Sequence, residues 1–441
     1  MGKTMRKAVN FWNNKNCGGQ QNRKSVSLRG LAFIFLGLVS FFSALESNKG
    51  LLPLDRQVDL QNKASLIPVA VRVFEGQQFV SHLGLDDFEI MVENTPQKAV
   101  SLLEVNKQTI ERQEGAFIAK PELGRHILIM FQMIDYHPQL AQAIQDLFQN
   151  EILPGDTLEL QTPMKSYLLA PRAMETIPRS TLIQNTLELV RKDILQGNML
   201  YNSLLNELKR FVRRIGGVST MEVEELGGVS EDLGLPFLFQ NYRLNMQKLE
   251  VLRRIDEHRL SQFAELIQKR PGQKLVFFLY QREFLPEISP MKMNELLTMY
   301  QDQPNIVGDL QELFQQFHRN FSFNLPALEE AFASSGAQLN FLFLNKDAPK
   351  ITGLVMRERS EDVFIMMSKI AKATGGLVEA SQNPEAALKK AFSAASRYYL
   401  LYLEPQEEVW KKGFNFLEVK AKKENLTVFT RLGFSFFDSP E

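Results

Sequence analysis

The residues best suited to chemistry are few and scattered in this chain. Its five histidines stand at positions 82, 126, 137, 258 and 318. No two share the i,i+4 spacing that would set two zinc ligands on one helix face. The single cysteine, Cys17, lies upstream of an apolar run near the N-terminus, so the chain beyond it has no thiol nucleophile and no disulfide framework. No G-x-S-x-G elbow, no G-x-x-x-x-G-K-S/T phosphate loop and no G-x-G-x-x-G turn occurs. Asp86, Asp87 and Glu89 surround Phe88 with the spacing of a solvated turn, not of a calcium loop. Lys209, Arg210, Arg213 and Arg214 gather on one side of a helix, a solvated face balanced by Glu222, Glu224, Glu225, Glu231 and Asp232.

What remains is a place, not a motif. Residues 125 to 148 read as a buried strand running into an amphipathic helix, and the crest between them is Gln132-Met133-Ile134-Asp135-Tyr136-His137. Open α/β sheets bind ligands at such crests. This one offers no glycine for a phosphate and one acidic group. A catalytic use would draw on Asp135, His137 and Glu283, provided that the three converge on one pocket.

The elements that must position these residues alternate strand and helix, the signature of a mostly parallel α/β sheet. Strands are expected at 127–134, 157–161, 274–280, 338–344 and 398–403. Helices are expected at 139–150, 181–195, 200–214, 361–373 and 385–397, with Thr374-Gly375-Gly376 ending one of them. Two helical insertions, near 216–269 and 283–324, exceed the simple alternation. The second follows a strand and should cover the crest; the first follows a helix and should emerge at the opposite end. Period-two patterns at both ends of the chain, in 66–122 and in 405–441, predict a small antiparallel β domain shared by the two termini, the latter as a hairpin turning near Lys423-Glu424-Asn425.

Lysine plus arginine equals aspartate plus glutamate, 51 of each in 441 residues, which removes any global electrostatic footprint for nucleic acid. Arg23, Lys24 and Arg29 precede the apolar run 31–42, shorter than the ~20 residues that span a bilayer. That is the pattern of an export signal or an N-terminal anchor over 1–45, followed by a polar linker over 46–65. The expected location is therefore periplasm, cell envelope or outside the cell, with membrane contact only through that segment if it is not cleaved.

Three short segments, 83–90 (Leu-Gly-Leu-Asp-Asp-Phe-Glu-Ile), 373–376 (Ala-Thr-Gly-Gly) and 398–405 (Tyr-Tyr-Leu-Leu-Tyr through Pro405), together resemble the bacterial exported proteins called VWFA-related. The resemblance covers about residues 66 to 436. It implies a von Willebrand factor A-type domain over 123–404, a parallel sheet with a metal-ion-dependent adhesion site at its crest. That site uses D-x-S-x-S after the first strand, a threonine before L-Y-D-A-L, and D-G after the fourth strand, holding one divalent cation through hard oxygen ligands. This chain departs at each loop. Gln132, Ile134 and Tyr136 replace the aspartate and both serines; Asn198 stands at the threonine before Leu200-Tyr201-Asn202-Ser203-Leu204; Gln281-Arg282 replaces Asp-Gly. Neutral amides do not balance a divalent charge, and Arg282 adds a positive one.

The sequence thus leads to an exported, non-catalytic interaction module with a degenerate metal site and no cofactor, binding protein partners in the cell envelope. Candidate contact residues are Gln132, Asp135, His137, Asn198, Gln281 and Arg282 at the crest and Met291, Met293 and Leu297 on the second insertion. An exported α/β enzyme with an unrecognised crest site is the alternative, and a structural scaffold the third reading.

Overall fold

A computed structural model describes residues 66–436, except 117, 119, 120, 217–233, 254, 314–323, 353 and 407–409. Its centre is a six-stranded sheet. From edge to edge the strands are Val378–Ser381, Ala337–Leu344, Gln273–Gln281, Arg125–Gln132, Thr157–Gln161 and Ser166–Leu169. Every neighbouring pair is parallel except the last, which is antiparallel. The three strands at its middle, Arg125–Gln132, Gln273–Gln281 and Ala337–Leu344, are nearly continuous apolar runs because both of their faces are covered. Ile127, Ile129, Phe131, Leu275, Phe277 and Leu279 pack under helices Leu140–Asp146, Arg179–Gly197 and Pro384–Ser396. The alternate residues Leu128, Val276, Phe278 and Tyr280 pack under Glu257–Gln268, Leu325–Ser334 and Glu361–Ala373. The mixed α/β architecture with a mostly parallel core sheet is therefore as expected.

Two antiparallel sheets enclose a separate core beside it. One runs Thr427–Phe429, Ile67–Glu75, Arg397–Leu403, Ala99–Asn106, Thr109–Gly115; the other runs Gly433–Phe436, Gly413–Ala421, Phe88–Val92, Thr95–Gln97. Val69, Val71, Phe88, Ile90, Tyr399, Leu401, Val419 and Phe434 fill the space between them.

This corrects the placement of the 398–403 strand. It pairs with Ile67–Glu75 and Ala99–Asn106 in the sandwich, not with the central sheet. A Tyr-Tyr-Leu-Leu-Tyr-Leu run suits a strand buried on both faces in either setting, so periodicity alone cannot choose. Both edge strands of the central sheet fall outside the expected set: Val378–Ser381 and Ser166–Leu169 are four residues each and mostly half-exposed, so neither leaves an apolar run to read. The C-terminal hairpin also differs. After Gly413–Ala421 the chain turns at Asn425 (φ 65°) and crosses to the other sheet, where Thr427–Phe429 pairs with Arg72–Phe74. It then returns as Gly433–Phe436 along the start of Gly413–Ala421.

A fourth cluster forms a cap. Helices Met199–Ile215, Leu235–Arg253, Pro290–Met299 and Pro304–Glu312 pack around a ribbon of Phe284–Ile288 and Leu354–Glu358. Ile134, from the crest itself, belongs to this cluster, so the cap is seated on the crest. Helix Leu235–Arg253 lies in the cap too, contrary to the expectation that the 216–269 excursion leaves by the opposite end. The reason is that Met199–Ile215 starts at the crest and projects from it, and Leu235–Arg253 packs along it on the way back. Only the later helix, Glu257–Gln268, reaches the sheet face.

Candidate functional site at the strand crest

The sheet order places Arg125–Gln132 and Gln273–Gln281 side by side at the point where connections wind away in opposite directions, the position where open sheets hold ligands. Three loops meet there through side-chain amides. Gln281, only 5% exposed, turns its Oε1 toward the first loop and accepts from the backbone N–H groups of Ile134 (2.9 Å) and Asp135 (2.8 Å). Asn198, 1% exposed, donates its Nδ2 to the carbonyls of Met133 (2.6 Å) and Ile194 (2.7 Å). Buried backbone polar groups demand such partners. Here the amides of the second and third loops supply them, and each of those loops is tied directly to the first.

The remaining crest residues separate. Asp135 is exposed and its Oδ2 pairs with Lys346 Nζ at 2.8 Å. Lys209 stands near this pair: burial, with Lys346 and Arg213, holds its ammonium below the usual lysine range against the opposing pull of Asp135. Arg282 leans over the Phe343 ring (5.5 Å) and pairs with Glu358 at 3.2 Å, which ties the crest to the ribbon. His137 accepts from the Gln139 N–H at 3.3 Å on its Nδ1, a local helix-entry contact. Gln132 is half-buried and borders a small apolar cavity of about 50 Å³ together with Phe263, Phe278 and Met366. That cavity is lined by none of Asp135, His137 and Glu283.

Glu283 is spent elsewhere. It is buried, accepts from Arg253 Nε at 2.8 Å and from the Tyr280 hydroxyl at 2.5 Å, and Arg253 also reaches Glu250 and the Arg359 carbonyl (2.8 Å). This network closes the cap helix Leu235–Arg253 onto the end of the strand. Nearby carboxylates raise the Arg253 pKa despite the cost of burial. Among the described residues no group of three or more His, Cys, Asp and Glu side chains is arranged to hold a metal ion.

On the second insertion, Met291 is 73% exposed, whereas Met293 and Leu297 pack against the cap core. Of the three proposed contact residues only Met291 stands open. Sequence reasoning overlooked Lys346 and assigned Lys209 to a solvated helix face. Lys346 was within reach of it, because it follows directly on strand Ala337–Leu344 and so must lie at the same crest; Lys209 depends on how the cap helix projects. Glu222, Glu224, Glu225, Glu231 and Asp232 lie outside the described residues, as does the apolar run 31–42. Among the described residues no helix is long and apolar enough to cross a membrane.

The three sequence segments that carried the resemblance are structural contacts. The Tyr399 hydroxyl accepts from the Leu83 N–H (3.1 Å) and donates to the Val80 carbonyl (2.7 Å), joining the first and third segments inside the sandwich. The second, Thr374-Gly375-Gly376, joins sandwich to sheet. The Leu432 N–H donates to the Ala373 carbonyl at 2.7 Å, and a Cβ on Gly376 would lie 1.8 Å from the Leu339 carbonyl oxygen.

No family model matches this chain, and no curated protein matches it. Among solved structures, the human COPII-coat protein Sec24c is similar at 8% identity, over 77% of this chain and 46% of that one, with a TM-score of 0.26. The chain thus spans less than half the length of that protein, and so low a score decides neither fold nor function.

Proposed function

We propose that this chain is an exported von Willebrand A-type interaction module whose divalent cation has been replaced by amide hydrogen bonds. The observation that carries the reading is the Gln281 contact with Ile134 and Asp135, joined by the Asn198 contact with Met133. Side chains from the second and third loops meet the first loop where a shared cation would draw those loops together. The strand order supports it: counted along the chain within the central sheet it is 3-2-1-4-5-6, with the third strand antiparallel at the edge.

A partner approaching this crest meets fixed groups, the Asp135–Lys346 pair and Lys209, and beside them the cap that carries Met291. The enzyme reading gains little from the same geometry. Catalysis needs a base and a positioned partner in one pocket, and Glu283 is buried on Arg253 while Asp135 faces solvent.

The test places a photo-cross-linking residue at 135, at 291 or at Phe416, an exposed sandwich position, and exposes each protein to envelope extract. One protein adduct formed at 135 or 291 and absent at 416 supports the module. Equal labelling at all three, or none at 135 and 291, counts against it.

A further inference from the structure

At the end of the central sheet opposite the crest, a cleft of about 500 Å³ separates the strand starts from the sandwich. Its size lies within the range of small-molecule sites, roughly 300–1,000 Å³. Four cationic residues line it, Arg72, Arg270, Lys274 and Arg431, against one carboxylate, Glu122. Arg270 is drawn toward Glu159, 3.9 Å away. The other three make no ion pair among the described residues, and their hydrogen bonds go to backbone carbonyls: Arg72 donates to Gly375 (3.0 Å), Arg431, which also lies over the Phe434 ring, to Pro68 (2.9 Å), Lys274 to Gln268 (3.1 Å) and Ser335 (2.9 Å).

Arg72 is 4% exposed, and the buried Nε groups of both Arg72 and Arg431 have no hydrogen-bond partner. Buried charge without a counter-charge is costly, and buried donors without acceptors are rare. The cations also converge. The point where a Cβ on Gly336 would sit lies 3.6 Å from Arg431 Nη1 and 3.7 Å from Lys274 Nζ. Gly375, which accepts from Arg72, lies against the backbone of Thr430, next to Arg431. Tyr398, Tyr402 and Leu400 supply an apolar wall.

We propose that this cleft binds a small phosphate-bearing ligand, its phosphate held by Arg72, Lys274 and Arg431 and its organic part against Tyr398 and Tyr402. Three cations against Glu122 leave an excess of two positive charges, which a phosphate dianion neutralises, and guanidinium groups pair with phosphate through two parallel N–H donors. Desolvation acts in the same sense: burial pushes Arg72 and Arg431 down to about 10, and burial with Arg431 pushes Lys274 down to about 8, costs that an anion would relieve.

Calorimetric titration with inorganic phosphate and with phenyl phosphate, against sodium chloride at matched ionic strength, tests the site. Saturable binding of either phosphate compound is expected, weakened about tenfold or more by Lys274→Met and by Arg431→Gln, the loss of one charge-assisted contact. Tighter binding of phenyl phosphate assigns the site to esters; equal binding assigns it to the free anion, and both keep the phosphate chemistry. Heats equal to those of chloride, or affinity unchanged in Lys274→Met with its circular dichroism intact, would overturn the proposal. Lys274→Met keeps the test decisive if Arg431→Gln does not fold.

Discussion

Replacing Gln281 by alanine isolates the contact on which the crest reading rests. The substitution removes the acceptor for two backbone N–H groups, those of Ile134 and Asp135. Leaving a buried donor unsatisfied costs about 1–3 kcal/mol. Ile134 is buried, so its N–H belongs toward the upper part of that range. Asp135 is exposed and water can reach its N–H, which belongs near the lower end. The expected loss is therefore about 3 kcal/mol, a fall in Tm of roughly 4 °C. Gln132→Ala is the matched control. It removes the same chemical group from the neighbouring strand end, but the Gln132 amide makes no side-chain hydrogen bond among the described residues, so its loss should stay below about 1 kcal/mol. Urea unfolding and calorimetry on the two variants give both numbers. Equal losses, or a Gln281→Ala shift no larger than that of Gln132→Ala, would show that this amide does not close the crest.

Asn198→Ala strips the donor from the Met133 and Ile194 carbonyls and should cost about 1–3 kcal/mol by urea unfolding. Arg253→Met leaves Glu283 buried without its main counter-charge and should cost about 3–5 kcal/mol, part of it recovered in Arg253→Met/Glu283→Gln; no recovery would mean that the charge pairing is not what holds the cap helix. For Lys274, faced by Arg431 and Glu122, the folded pKa of about 8 lies below the ordinary lysine value. Between the two the unfolded chain binds more protons, so its contribution makes stability rise as pH increases from 8 toward 10. Unfolding midpoints measured across that range should climb in the native protein relative to Lys274→Met, and parallel curves would refute the assignment.

The central sheet was largely legible because Arg125–Gln132, Gln273–Gln281 and Ala337–Leu344 carry apolar runs too short for a helix, and Thr157–Gln161 alternates Leu158 and Leu160 with polar residues. Two features were not. Tyr398 to Leu403 is equally suited to a parallel sheet and to a sandwich, and only the pairing partners Ile67–Glu75 and Ala99–Asn106, nearly the whole chain away, decide between them. Val378–Ser381 and Ser166–Leu169 are short edge strands with little to bury. At the crest, the residues at 132, 198 and 281 were identifiable by position, but their roles were not equivalent. Gln281 and Asn198 bridge loops and Gln132 does not, a difference set by side-chain direction at the strand ends and invisible in amide composition. The cap was misjudged in part because a helix that starts at the crest can project beyond the sheet instead of returning across it, and amphipathicity specifies which face is buried, not where the helix points.

If amide hydrogen bonds do at this crest what a divalent cation does in a metal-dependent adhesion site, as proposed, the protein gains nothing from added metal. The measurement is a set of thermal melts of the purified protein in EDTA and in millimolar magnesium or manganese. The three curves should coincide, because Gln281 and Asn198 already satisfy the loops and the exposed carboxylate, Asp135, is held by Lys346. A metal-dependent rise of several degrees that disappears in Asp135→Ala would contradict the account and restore a cation to the crest.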